Sequence, residues 1–255
     1  MSDLAVVAEN LFFSYQITPI LQQINLSICK GECIGIIGPN GGGKTTFLKL
    51  VLGFLQPSRG HLRIFGKAPD AFRLKMGYVP QIHRMDRDFP ITVWELVLLG
   101  ALSRLPKMGA APLPIQEKAE ALLEEFELDR LKEASFSSLS GGQAQKALFI
   151  RSLLSDPDLL ILDELTANVD AHSTRKILDK LDKLKREKTI LMVSHDLRTI
   201  LERVDRVISI QGHAHSFLPA EVCEHFALGL YHTPLLGLPQ NHFNKETHCH
   251  ECAPR

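Results

Sequence analysis

The chain has 255 residues, of which 45% are hydrophobic and 23% are charged, and its 29 basic residues balance 29 acidic ones. These values are ordinary for a globular protein, and the length suits one α/β domain with a small subdomain. A balanced charge gives no overall attraction to nucleic acid or anionic lipid, so a nucleic-acid partner is not predicted.

The first ten residues include acids and no long apolar stretch, which argues against a signal peptide. Nowhere does an uninterrupted apolar run approach the roughly 20 residues that cross a bilayer. We therefore expect any membrane association to occur through a partner. Without a secretory signal, the five cysteines are expected to be reduced thiols in the cytosol.

The chain begins with short segments rich in β-branched and aromatic residues, which predict strands at 4–8, 11–15 and 24–28. The continuously apolar segment Cys33–Ile37 predicts a strand buried on both faces of a mostly parallel sheet. A glycine-rich loop follows directly, and residues 45–54 have the spacing of a helix.

Residues from about 92 to 135 are predicted to be predominantly helical. Thr92 is a suitable N-cap, and Glu95 three places on completes a capping box. Apolar residues recur at helical intervals over 115–126, and the proline-rich segment 106–114 is predicted to be a loop. A helical insertion between two α/β parts is the simplest description.

The α/β pattern resumes after Ser140. It predicts helices and buried strands in alternation, with a strand at 207–210 as the last one. Beyond about residue 211 histidines and prolines are frequent and the periodicity fades. The predicted elements are a helix at 143–154, a strand at 159–162, a charged helix at 173–188 and a strand at 189–194.

The loop after Cys33–Ile37 matches G-x-x-x-x-G-K-[ST], a phosphate-binding pattern that requires a buried strand before it and a helix after it. Its glycines let backbone N–H groups turn towards phosphate oxygens, and the helix N-terminus adds partial positive charge. Lys44 can reach the β- and γ-phosphates, and Thr45 can offer its hydroxyl to Mg²⁺. The predicted nucleotide-binding residues of this loop are Gly38, Pro39, Asn40, Gly41, Gly42, Gly43, Lys44, Thr45 and Thr46.

An acidic pair, Asp163 and Glu164, ends the predicted strand at 159–162. Ligands bind at the carboxyl ends of parallel strands, so the pair is expected beside the phosphate loop. Asp163 is placed to hold Mg²⁺ through water, and Glu164 to polarise an attacking water. Adjacent acids also occur on ordinary surfaces, so the pair is specific only in combination with the loop.

Two glycines before the helix at 143–154 form a second anion-binding nest, within Leu139, Ser140, Gly141, Gly142 and Gln143. With this segment the chain resembles the ATP-binding-cassette (ABC) ATPases, whose signature motif is LSGGQ. The resemblance covers residues 4–212. It implies an α/β P-loop NTPase core with an N-terminal antiparallel β part and a helical subdomain inserted at about 82–138. A C-terminal extension would occupy 213–255.

The resemblance implies roles for four further residues. Tyr15 stands where the family has an aromatic that stacks on adenine, and Gln81 resembles the glutamine that touches Mg²⁺ and senses the membrane partner. Asp170 matches the aspartate that closes the loop after the acidic pair, and His195 resembles the histidine that contacts the γ-phosphate. Each residue alone has an ordinary structural explanation, so their joint order and spacing carry the assignment.

In this family the phosphate loop of one ATPase domain and the LSGGQ of another close on the same nucleotide. The resemblance therefore implies ATP and Mg²⁺ as cofactors, and a dimer with a second copy or with another ABC ATPase chain. It also implies a polytopic membrane permease, with this chain peripheral on the cytoplasmic side of the inner membrane.

The stretch at 89–100 resembles the corresponding stretch of zinc, manganese or iron importers. The expected function is ATP hydrolysis that drives import of a divalent metal ion, together with an extracytoplasmic metal-binding protein. The alternatives are an ABC exporter subunit, a soluble ABC ATPase such as an iron–sulfur assembly ATPase, or an ordinary P-loop kinase. The LSGGQ segment, the acidic pair and His195 together argue against the kinase.

The C-terminal region is unusually rich in histidine and cysteine, and Cys249-x-x-Cys252 has the spacing of half a zinc site. A polar, mobile C-terminus and a regulatory metal site are both consistent with this composition. The residues concerned are His213, His215, His225, His232, His242, His248, His250, Cys223, Cys249 and Cys252.

Overall fold

The computed structural model describes residues 3–81, 90–106, 109–164, 170–194 and 200–222. Within these ranges the chain forms nine β-strands and six α-helices, joined by short 3₁₀ turns. The strands are β1 Leu4–Tyr15, β2 Thr18–Cys29, β3 Cys33–Ile37, β4 Arg59–Ile64, β5 Met76–Val79, β6 Leu159–Asp163, β7 Thr189–Val193, β8 Arg206–Gln211 and β9 His213–Phe217. The helices are α1 Lys44–Val51, α2 Pro69–Phe72, α3 Val93–Leu98, α4 Leu113–Glu125, α5 Gly141–Leu154 and α6 Ala171–Leu184.

The strands form two sheets. The N-terminal sheet has the order β2-β1-β4 and is antiparallel, as the predicted N-terminal β part requires. The larger sheet has the order β5-β6-β7-β3-β8-β9. Its first five strands are parallel, and β9 pairs antiparallel with β8 at the edge.

The core has two apolar layers, one on each face of the larger sheet. One layer packs the N-terminal sheet and α1 against the face that carries Ile34 and Ile36. The other packs α3, α4, α5 and α6 against the face that carries Cys33 and Ile37. All residues of β3, β6 and β7 are buried, which explains why these strands are continuously apolar rather than alternating.

The helical insertion lies between β5 and β6. Its first helix, α3, begins at the predicted N-cap: Thr92 accepts a hydrogen bond from the backbone N–H of Glu95, whose side chain accepts one from the N–H of Thr92. The capping box is therefore confirmed. Helix α4 begins at Leu113, inside the predicted loop, because the proline that follows suits a first helical turn.

Several sequence-based boundaries differ from the structure, among them the predicted strands 4–8 and 11–15, which form the single strand β1. The prediction that 207–210 is the last strand is wrong: β8 turns at Gly212, which has φ +69°, into β9. The sheet therefore continues beyond β8 and includes His213–Phe217. Helix α6 ends at Leu184 rather than 188, because Lys185 is extended and Arg186 is left-handed with φ +73°.

Candidate nucleotide-binding site

The glycine-rich loop joins the end of β3 to the start of α1. Gly38, Gly41 and Gly43 have φ values of +141°, +80° and +105°, which side-chain-bearing residues rarely adopt. A Cβ atom on Gly38 would lie 2.2 Å from the carbonyl oxygen of Ile210 in β8. The loop backbone thus packs directly on the neighbouring strand, and glycine is required there for space as well as for conformation.

The turn between β8 and β9 supports the same loop. The N–H of Gly212 donates to the carbonyl of Gly42 at 3.0 Å, and the carbonyl of Gly212 accepts from the N–H of Gln22 at 2.7 Å. The turn between β8 and β9 therefore holds the middle of the phosphate loop in place and connects it to β2.

Lys44, the first residue of α1, folds back over the loop. Its Nζ donates to the carbonyls of Gly38 at 2.8 Å and Pro39 at 3.0 Å, and the side chain is buried. Burial lowers the pKa of Lys44, and the nearby carboxylates of Glu164 and Asp163 act in the opposite direction. The ammonium group is thus held above the loop, where phosphate oxygens would take over its contacts.

The acidic pair lies at the same edge of the sheet. Asp163 ends β6 and is 2% exposed, and the hydroxyl of Tyr78 donates to its Oδ2 at 3.4 Å. Glu164 leaves the strand in a left-handed conformation, with φ +58°, and its N–H donates to the carbonyl of Val193 at 2.8 Å. The strand therefore ends between the two adjacent acids.

Gln81 reaches the acidic pair from β5. Its side-chain amide donates a hydrogen bond to the carboxylate of Glu164. Glu164 and the loop also share an open cavity of about 430 Å³. The cavity is lined by Ile20, Asn40, Gly41, Gly43, Lys44, Thr45, Thr46 and Glu164. The structure therefore brings together the loop, the acidic pair and Gln81.

Tyr15 ends β1, beside the turn into β2. It is 44% exposed, and its ring meets that of Phe13 edge to face with centroids 4.9 Å apart. An aromatic this exposed is available for stacking, whereas a core aromatic would be covered.

The LSGGQ segment caps α5. The hydroxyl of Ser140 accepts from the N–H of Gln143 at 3.3 Å, and the side chain of Gln143 accepts from the N–H of Ser140 at 2.9 Å. A Cβ on Gly142 would lie 2.0 Å from Oδ2 of Asp170, the N-cap of α6. Gly142 of the LSGGQ segment is thus packed against Asp170 within the same chain. The cavity beside the phosphate loop is instead lined by the loop itself, Ile20 and Glu164.

Some of the predicted features fall outside the described residues: His195, residues 165–169, and the histidines and cysteines from Cys223 onwards. In turn, the sequence missed two residues that contact the site, Tyr78 and Gly212. Tyr78 lies in an apolar segment just before Gln81, which could have marked the strand. Gly212, a lone glycine after an apolar run, could have marked the turn.

A buried strand, a glycine loop, a helix carrying a buried lysine and acids on a neighbouring strand end together define a P-loop nucleotide-binding protein. Comparisons with known proteins narrow this class. The family model described as "ABC transporter" matches residues 21–167.

The relatives include three ATP-binding proteins of transport systems. A protein of Chlamydia trachomatis named "Probable metal transport system ATP-binding protein" is 44% identical over 75% of this chain and 82% of its own. The manganese transport system protein MntB of Bacillus subtilis is 36% identical over 85% and 87%. The zinc transport system protein TroB of Treponema pallidum is 38% identical over 80% and 77%.

Solved structures agree in fold. An inward-facing ABC transporter matches with a TM-score of 0.76 and 26% identity, over 90% of this chain and 88% of that one. A dimeric ATP-binding cassette with bound ADP and phosphate matches with a TM-score of 0.74 and 27% identity, over 84% and 98%. The chain belongs to the ABC transporter family and is an ABC-type ATPase. Among its described helices, none is both long and apolar enough to span a bilayer.

Proposed function

We propose that this chain hydrolyses ATP to drive import of a divalent transition metal ion, such as Mn²⁺ or Zn²⁺, through a membrane permease. The cargo class rests on the manganese and zinc transport systems to which its relatives belong. The hydrolytic role rests on one observation: Lys44, Thr45 and Glu164 line a single cavity at the end of the parallel strands. An extracytoplasmic metal-binding protein would deliver the ion.

The residues of the cavity, together with Tyr15 and His195, have distinct tasks in this proposal. The loop N–H groups and Lys44 bind the β- and γ-phosphates, and Tyr15 stacks on the adenine. Glu164 accepts a proton from the attacking water, and His195 contacts the γ-phosphate. Catalysis then consists mainly of positioning and charge stabilisation, as in other phosphoryl transfers.

The residues around the cavity suit Mg²⁺, which prefers hard oxygen ligands and retains several waters. Thr45 offers a hydroxyl, Gln81 an amide oxygen and Asp163 a carboxylate. Burial and the hydrogen bond from Tyr78 hold Asp163 in one orientation. Bound Mg²⁺ would neutralise charge on the phosphates, and Asp163 would hold it through water.

A dimer completes the site. Ser140, Gly141, Gly142 and Gln143 cap the N-terminus of α5, where backbone N–H groups favour an anion, but they do not line the loop cavity of their own chain. We infer that they meet the γ-phosphate held by a second cassette, with Asp170 beside them at the interface. ATP would thereby drive closure, and hydrolysis would release it.

A groove at the free edge of β5 is the proposed docking site for a helix of the permease. Its volume is about 240 Å³, and it is flanked by Leu74 and Leu102, which are 71% and 64% exposed. Its floor includes Tyr78, three residues before Gln81. A helix seated here would press on β5, the strand that leads to Gln81 and, through its hydrogen bond, to Glu164. The chain would then lie on the cytoplasmic face of the membrane.

The proposal is tested by co-expressing the chain with its permease and measuring ATP-dependent uptake of Mn²⁺ and Zn²⁺ into vesicles. Leu102→Glu should abolish co-purification and uptake while the isolated chain still binds ATP. Leu113→Glu is the matched control, since Leu113 is 66% exposed and lies outside the groove. ATP-dependent export of the ion, or uptake of neither metal, would refute the proposed function.

A further inference from the structure

The edge strand β9 carries two histidines that the nucleotide site does not use. His213 pairs with Gln211 of β8, and His215 pairs with Ser209. Side chains alternate across a strand, so His213 and His215 point to the same face, separated by one residue and by about 6.7 Å along the strand. Both are exposed.

The surroundings leave the two imidazoles free to bind an ion. Partial burial, and secondarily the charge of His213, lower the pKa of His215 and thereby favour the uncharged form of its ring. Arg206 lines the same cavity as His215, and its guanidinium is paired with the carboxylate of Glu32 at 3.0 Å. A neutral imidazole has an unshared electron pair, which is the form that ligates a metal.

We propose that His213 and His215 form a surface site for a divalent transition metal ion of the kind that prefers imidazole, such as Zn²⁺ or Ni²⁺. Two imidazoles one residue apart on a strand can both approach one ion at the usual Zn–N distance of about 2.0–2.1 Å. Water would complete the coordination, because no group of three or more ligating side chains lies together among the described residues.

The position of the site separates it from the nucleotide-bound Mg²⁺. Mg²⁺ prefers oxygen ligands, whereas this pair offers nitrogen only. The pair nevertheless begins one residue after Gly212, whose N–H donates to Gly42 of the phosphate loop at 3.0 Å. The site does not depend on which ion the transporter carries.

The test is a titration of the full chain with Zn²⁺ alone. Binding is monitored by the amide NMR resonances of residues 209–216. Zn²⁺ should shift these resonances, and His215→Asn should weaken the apparent affinity measured there by about tenfold or more, because loss of a direct ligand should cost at least as much as loss of an outer-shell partner. His213→Asn should do the same. His61→Asn is the matched control, because His61 is an exposed histidine of β4 in the other sheet.

The other histidines and cysteines of the C-terminal region could bind Zn²⁺ as well, so total uptake of metal is not the readout. Unshifted resonances at 209–216 under saturating Zn²⁺ would overturn the proposal. Equal shifts in the wild type and in the His213→Asn, His215→Asn double variant would also overturn it, since the metal would then lie elsewhere.

Discussion

The side-chain amide of Gln81, just beyond β5, donates a hydrogen bond to the carboxylate of Glu164, just beyond β6. The two strands are neighbours in the sheet, with Val79 paired to Leu162. The contact therefore joins the proposed general base to the strand that lines the proposed docking groove. A displacement of β5 would therefore be transmitted to Glu164 through the side chain of Gln81.

Gln81→Ala should lower Mg²⁺-dependent ATP hydrolysis and raise the Mg²⁺ concentration needed for half-maximal rate. The substitution removes the amide oxygen that is proposed to ligate Mg²⁺ and the amide N–H that donates to Glu164. Steady-state ATPase assays across a Mg²⁺ titration measure both effects. Gln116→Ala is the control, because Gln116 donates to the carbonyl of Ala111 in the helical subdomain. An unchanged Mg²⁺ dependence would remove Gln81 from the site.

Glu164→Gln should retain ATP binding and lower turnover by a factor on the order of 10²–10⁴, the usual range for loss of a general base. The amide keeps the size of the carboxylate but cannot accept the proton of the attacking water. Single-turnover hydrolysis and equilibrium ATP binding separate the two effects. Hydrolysis at the wild-type rate would reject the assignment.

Lys44→Ala should weaken ATP binding markedly, because the ammonium group above the loop is lost. Lys49→Ala should leave it unchanged, since Lys49 is exposed on the same helix. The pKa of Lys44 is lowered by burial, so raising the pH through that pKa should also weaken binding as the charge disappears. Calorimetric titration with ATP at several pH values measures both. Equal affinities for the two variants would contradict this role.

Gly142→Ala should destabilise the chain by about 1–3 kcal/mol, the usual cost of overpacking, although alanine is the better helix former. The added Cβ would lie 2.0 Å from Oδ2 of Asp170. Urea unfolding measures the free energy. In an Asp170→Ala background the same substitution should cost less, because the clashing carboxylate is absent. Strict additivity of the two changes would show that this contact is not the cause.

Cys33 should resist alkylation in the folded chain, whereas Cys29 should react. Burial raises the pKa of Cys33 from 9.0 to about 12, so its thiolate is scarce, while Cys29 is exposed. Iodoacetamide labelling at pH 8, read by mass spectrometry, distinguishes the two cysteines.

The same burial makes stability depend on pH. Because the pKa of Cys33 is higher in the folded chain than in the unfolded chain, its thiol stabilises the fold below pH 9, and that contribution declines between about pH 9 and 12. Rapid labelling of Cys33 without unfolding would be inconsistent with its burial.

Features that depend on local chemistry could be read from the sequence. The strand Cys33–Ile37, the loop after it and the capping box at Thr92 each follow from a few adjacent residues, and each is present. The helix around Ser140 begins two residues earlier than predicted, because both glycines belong to its first turn.

Features that depend on distant partners could not be read in this way. The left-handed turn at Glu164 is held by Val193 of β7, and β9 forms because β8 offers it an edge, although His213–Phe217 has no clear strand pattern. Likewise, β4 contains Arg59 and Gly60 and is recognisable only through its pairing with β1. In these places tertiary contacts override local preference.

The order of strands in the larger sheet sets when the nucleotide site can exist during synthesis. Strand β3, which delivers the phosphate loop, lies between β7 and β8, so its two neighbours are made more than 150 residues after it. On the ribosome the loop would emerge early and remain without either flanking strand until the chain had passed Gln211. A nascent chain should thus acquire the ability to hold ATP late and abruptly, and premature termination before β8 should yield a product that the cell must degrade.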